Sequence, residues 1–104
     1  MQIAFLIYEG LTSLDIVGPY EVLARIPDAE VRFVAVDTGE RRVDTGAFGY
    51  VVDHANGDVP RPDVFVIPGG LQGTYAAARD ERILAWVRGA HELSRFSTSV
   101  CTGS

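Results

Sequence analysis

The single cysteine, Cys101, lies in the run Ser99-Val100-Cys101-Thr102-Gly103, where a strand-like stretch meets a turn of small residues. A cysteine at such a point can serve as a nucleophile. In a nucleophile elbow the reactive side chain stands on a sharp, strained turn between strand and helix. Small neighbours, here Ser99 and Gly103, allow the tight packing such a turn requires. A helix starting at Cys101 would aim its N-terminal dipole at the sulfur and favour the thiolate. The plainer reading of a lone cysteine is a small buried core residue, and both stand at this level. Asp15 sits in Leu14-Asp15-Ile16-Val17, mostly apolar, where a carboxylate must cap a helix, be paired or be held protonated. Capping is the default. Facing Cys101 across neighbouring strand ends, Asp15 would instead share one proton with the thiol, and the pair would offer a substrate both a nucleophile and a proton. Gly69-Gly70-Leu71-Gln72-Gly73 has neither G-x-G-x-x-G spacing nor a Walker lysine, so nucleotide binding has little support. Backbone N–H groups of this loop, at Gly70 and Leu71, suit an oxyanion-type stabiliser beside the sulfur. A plain turn needing positive φ would use the same glycines.

Those residues need elements to hold them. Gln2 to Tyr8 and Asp63 to Ile67 are short, almost wholly apolar runs, and Glu30 to Val36 is a third strand. Such runs read as strands buried on both faces of a parallel sheet. Phe96 to Val100 is a last strand delivering Cys101. The pattern predicts a helix from Thr12 or Ser13, its caps, to about Arg25, with Leu14, Val17, Val22 and Leu23 on its buried face and a bend at Gly18-Pro19. A second helix, capped by Asp80 or a neighbour, runs from Arg82 to Leu93 with Ile83, Leu84, Val87, Ala90 and Leu93 at helical spacing. A short ribbon, Arg42-Val43-Asp44 with Tyr50-Val51-Val52, and a surface loop through Asn56-Gly57 and Pro60-Arg61-Pro62 complete the reading. Alternating strands and helices predict an α/β fold: a doubly wound, mostly parallel sheet with helices on both faces. Open sheets of this kind place their sites at strand carboxyl ends, where Asp15, Gly69-Gly70 and Cys101 all fall. His54, in a polar loop, and His91, on the outer part of a helix, have no partner at metal or triad spacing and read as structural. Tyr8 and Glu21 lie near the same region, with packing and solvation as their default roles. Trp86, Phe65 and Phe5 read as core.

Composition narrows the function further. The chain has 104 residues, nine basic against fourteen acidic, a net charge of −5 and 47% hydrophobic residues. One domain with a buried core is expected, and disorder is excluded. An acidic chain gives no nucleic-acid face, which needs clustered cations. One cysteine excludes an internal disulfide and a multi-cysteine metal site, and suits a reducing, cytoplasmic setting. The first eight residues lack a basic leader, and no apolar run approaches a membrane span, so neither a signal peptide nor a membrane association is expected.

Four segments together carry a resemblance: Ile3-Ala4-Phe5-Leu6, Leu14-Asp15-Ile16-Val17-Gly18-Pro19-Tyr20-Glu21-Val22-Leu23, Val66-Ile67-Pro68-Gly69-Gly70 and Thr98-Ser99-Val100-Cys101-Thr102-Gly103-Ser104. In order and spacing they resemble the DJ-1/PfpI superfamily, and within it the isonitrile hydratase branch. The resemblance implies a flavodoxin-like fold, a homodimer and Cys101 as nucleophile. In the hydratase branch an aspartate of the first helix contacts that sulfur, and Asp15 matches it. Thr102, Gly70 and Leu71 would serve as backbone donors and pocket wall, with no metal or organic cofactor. The implied function is a hydro-lyase that adds water to a small-molecule isonitrile and releases an N-substituted formamide. The ligand-sensing domain of an AraC-type transcriptional regulator is the alternative, as is another superfamily activity: glyoxalase-like, amidase or chaperone. Superfamily domains run to roughly twice this length. Residues 1–104 are therefore expected to be the first part of one such domain, ending just after the elbow.

Overall fold

The computed structural model describes residues 1–104. Its centre is a five-stranded sheet, all of whose pairings are parallel. The strands are β1 (Gln2–Leu6), β2 (Glu30–Ala35), β5 (His54–Ala55), β6 (Val64–Ile67) and β7 (Phe96–Ser99), in the order β5-β2-β1-β6-β7. Strands β3 (Gly39–Arg42) and β4 (Gly49–Val52) form a separate antiparallel ribbon. Helices α1 (Leu14–Leu23), α2 (Gln72–Ala78) and α3 (Glu81–Leu93) occupy the connections.

Register shows which helix covers which face. Phe5 is level with Phe33, and the two rings stack at 5.4 Å beneath Tyr20 of α1. Ala4, pointing the other way, is level with Phe65, whose ring meets Trp86 of α3 edge-on at 5.7 Å. Adjacent residues of a strand face opposite sides, so α1 and α3 cover opposite faces. This is the α/β flavodoxin-like arrangement expected. The central strand β1 is buried almost throughout, as its unbroken apolar run requires. Trp86 also donates its indole N–H to the Val59 carbonyl at 3.0 Å, satisfying its one polar atom in the core.

Several expectations need correction. The first helix is not interrupted at Gly18-Pro19; α1 runs through both residues and ends at Leu23. Its buried stripe is Ile16 with the packed Tyr20 and Leu23, whereas Leu14 and Val22 are 73% and 70% exposed and Val17 is exposed too. Neither predicted hydroxyl caps the helix. Ser13 is the N-cap residue but makes no capping hydrogen bond, its hydroxyl lying 2.8 Å from that of Tyr50. Thr12 Oγ1 donates to Asp44 at 2.7 Å. Helix α2 was not foreseen. His54 lies in β5 beside β2 and not in a loop. The ribbon sits earlier than expected at its first strand, with Arg42 opposite Gly49. In α3, Asp80 caps as expected, accepting from the Arg82 N–H at 3.0 Å, but Leu93 is exposed and Trp86 takes a buried position. Cys101–Gly103 form a single 3₁₀ turn.

Candidate active site

Three strand ends bring the candidate residues together. Past β7, the Val100 N–H donates to Ile67 O at 2.9 Å, keeping the chain beside β6 for one residue more. Cys101 then takes a left-handed backbone, φ +55°, and the Gly103 N–H closes the turn on Val100 O at 2.9 Å. A non-glycine residue in that region is uncommon and must be held there by its surroundings. The thiol is free and the residue exposed. Gly103 has to be glycine, because a Cβ there would run into the carbonyl oxygens of Ile67 and Pro68.

The turn after β6 provides the meeting point. At Gly69 a Cβ would lie 2.8 Å from Asp15 Oδ2, 2.8 Å from the Thr102 nitrogen and 2.9 Å from Cys101 Cβ. The carboxylate of α1, the elbow of β7 and the turn of β6 thus converge on one hydrogen-sized gap. Asp15 does not cap its helix; its Oδ2 accepts the Gly69 N–H at 3.0 Å and ties α1 to the turn. Gly70 is buried, and its N–H donates to Thr102 Oγ1 at 3.2 Å instead of pointing to an open position. Leu71, 69% exposed, lines an open depression of about 290 Å³ together with Gly70, Thr74, Tyr75 and Thr102. A second cavity of similar volume is walled by Leu6, Tyr8, Thr74, Ile83 and Thr102 among others.

Of the sequence-predicted residues, Asp15, Gly70, Cys101 and Thr102 are gathered around Gly69, and Leu71 stands at the rim. Glu21 is exposed and paired with Arg25, away from this cluster. His91 meets only Ser97, Nδ1 to Oγ 2.7 Å, on the surface. No three metal-ligating side chains are gathered anywhere. Tyr8, read from sequence as packing, belongs to the cluster. Its hydroxyl donates to Pro68 O at 2.7 Å and lies 3.1 Å from Thr74 Oγ1. Burial holds the Tyr8 phenol above its ordinary value of 10.0; the nearby charges of Asp15 and Cys101 push the same way, against the Thr74 hydrogen bond. Thr74 was missed. Its signal was a threonine four residues after Gly70, the spacing at which a hydroxyl bonds back to a carbonyl. It does so here, Thr74 Oγ1 to Gly70 O 2.8 Å.

A parallel α/β sheet with a left-handed cysteine at one strand end and a carboxylate facing the adjoining turn defines a class, and the DJ-1/PfpI family model matches residues 1–104. The chain belongs to that family. It is 37% identical over 111 aligned positions to the isonitrile hydratase of Pseudomonas putida, a match covering 100% of this chain and 45% of that protein. A THiJ/PfpI family protein from Pseudomonas syringae superposes with a TM-score of 0.93 at 34% identity, covering 98% of this chain and 42% of that one. An AraC family transcriptional regulator from Pseudomonas putida superposes with a TM-score of 0.74 at 13% identity, covering 93% of this chain and 54% of that one. At that identity the regulator shares the fold alone. The chain spans less than half the length of the hydratase and of the P. syringae protein.

Proposed function

We propose that the protein hydrates isonitriles, with Cys101 as nucleophile and Asp15 as acid and base. The observation that carries this reading is the crowding at Gly69, where a Cβ would touch both the Asp15 carboxylate oxygen and the Cys101 Cβ. The kinship with isonitrile hydratase supplies the substrate class.

The reaction balances with one shared proton. The Cys101 thiolate attacks the terminal carbon of R–NC, forming a C–S bond, and protonated Asp15 delivers its proton to that carbon. The product is a thioimidate, R–N=CH–S–Cys, beside an Asp15 carboxylate. Asp15 next takes a proton from water as the water oxygen adds to the same carbon, and passes it to nitrogen. Collapse breaks the C–S bond and releases the thiolate, while the hydroxyl proton returns to Asp15. The net change is R–NC plus water to R–NH–CHO. No step draws on a metal or an organic cofactor. Thr102, Gly70 and Leu71 form the wall on which the substrate rests.

Formamide production from an aliphatic isonitrile, followed by proton NMR, tests the reading. Cys101→Ser is expected to lower kcat by roughly a thousandfold or more. A Cys101→Ser protein that keeps its rate would overturn the mechanism. On this reading residues 1–104 are the first part of one DJ-1/PfpI-like domain that works as a homodimer. The intact mass of the natural protein checks the first point, against 11.3 kDa for these residues.

A further inference from the structure

A chain of polar contacts runs from one end of the β6 turn to the other through the hydroxyls of Thr102, Thr74 and Tyr8, and no sequence reading anticipated it. The Gly70 N–H is obliged to donate, and it donates to Thr102 Oγ1 at 3.2 Å. Thr102 Oγ1 lies 3.1 Å from Thr74 Oγ1, and Thr74 Oγ1 lies 3.1 Å from the Tyr8 hydroxyl. The Tyr8 hydroxyl ends the sequence on the Pro68 carbonyl, 2.7 Å away, which can only accept. Each threonine hydroxyl has one proton, given either to the neighbouring hydroxyl or to the Gly70 carbonyl, at 2.8 Å from Thr74 and 3.0 Å from Thr102, so the three hydroxyls form a branched cluster centred on Thr74. Thr74 thus reaches Gly70 directly at its carbonyl, while Thr102 accepts from the Gly70 N–H.

The chain joins four separate segments: the end of β1 through Tyr8, the β6 turn, the first turn of α2 and the elbow. The geometry points to Thr74 as the positioning residue of the proposed catalytic site. It is the central link, touches Tyr8, Gly70 and Thr102, and has no contact of its own with Cys101 or Asp15 among these bonds. Through Thr102 it holds the residue that follows Cys101, and through Gly70 the residue that follows Gly69. The two sides of the Asp15–Cys101 gap are thereby kept in register. A left-handed cysteine persists only where neighbours over-determine it, and this chain is such a constraint.

This role rests on the reading of Cys101 and Asp15 as the catalytic pair, and two measurements on the purified protein separate the two claims. Hydrogen exchange at the Gly70 amide reads the chain itself; kcat and KM for isonitrile hydration read its effect. Thr74→Val, which keeps the shape and removes the hydroxyl, is expected to lower Gly70 protection about fivefold or more. It should lower kcat by a similar factor with KM within about twofold of wild type. Thr74→Ser restores both. Unchanged Gly70 protection in Thr74→Val overturns the chain, and a kcat loss that serine does not rescue, or no kcat loss at all, overturns the positioning role. Should the wild-type protein hydrate no isonitrile, the substrate reading fails and Gly70 exchange alone decides, by the same loss and serine rescue. Should Thr74→Val not fold, Tyr8→Phe removes the next link while keeping the ring, and unchanged Gly70 protection there is equally fatal.

Discussion

Asp15 is asked to do two things at once: to accept the Gly69 N–H and, on the proposed mechanism, to move a proton. The two are separable by substitution. Asp15→Asn keeps an oxygen that can accept from Gly69, so thermal stability is expected to stay near wild type while kcat falls about a hundredfold. Asp15→Ala loses the acceptor as well and is expected to cost about 1–2 kcal/mol in chemical denaturation. Gly69→Ala is a third case. Its methyl group would press on Asp15, Cys101 and Thr102 together, so a stability loss of about 1–3 kcal/mol and loss of turnover are expected in the same variant. Tyr8 makes a prediction in pH. Its raised phenol value means the folded protein holds that proton more tightly than the unfolded chain. The associated stability is complete below pH 10.0 and lost as the pH rises through the folded value. Denaturation midpoints compared between wild type and Tyr8→Phe above pH 10.0 should show a shallower fall in the variant.

Among the elements, α3 is anchored through one residue. Trp86→Phe keeps most of the contact with Phe65 but strips the Val59 carbonyl of its donor, and about 1–3 kcal/mol should be lost in urea titrations. Helix α1 shows how far an apolar pattern can be read. Leu14, Val17 and Val22 form one stripe, and Ile16, Tyr20 and Leu23 another; both suit a buried face, and periodicity alone does not choose between them. The choice is tertiary, made by Phe5 and Phe33 offering an aromatic surface to Tyr20. Pro19 was read as the site of a bend, and the helix continues through it: a proline costs the helix only its own N–H and a clash with the carbonyl four residues back, which packing can override. Helix α2 escaped notice because Gly73 and the Ala76-Ala77-Ala78 run carry no amphipathic signal. The buried strands were legible because each is a short apolar run between turn residues. Asp15, Gly70 and Cys101 were legible because they fall in the segments that follow strand carboxyl ends. The hydroxyl chain was not: it joins residues 8, 74 and 102, whose proximity is a product of the sheet order.

Taken whole, the molecule is covered unevenly. Strand β1 has β2 and β6 as neighbours and a helix on each face, whereas β5 is a two-residue strand paired with β2. Native-state hydrogen exchange is therefore expected to be slower at β1 amides than at those of β5, and equal protection of the two would contradict this. The exposed stripe of α1, Leu14 with Val17 and Val22, adds apolar surface on the opposite side from α3. Light scattering on the natural protein tests the proposed homodimer, and no helix is long and apolar enough to cross a membrane.

The crowding at Gly69 also has a consequence for anyone who would alter substrate range. Saturation mutagenesis at that position has no productive alternative to sample, since even a methyl group falls on three residues of two other segments at once. Variation has room at Leu71 and Tyr75, exposed on the rim of the depression and clear of the hydroxyl chain. A library built there leaves the reacting groups where they stand and reshapes only what the rest of the substrate meets.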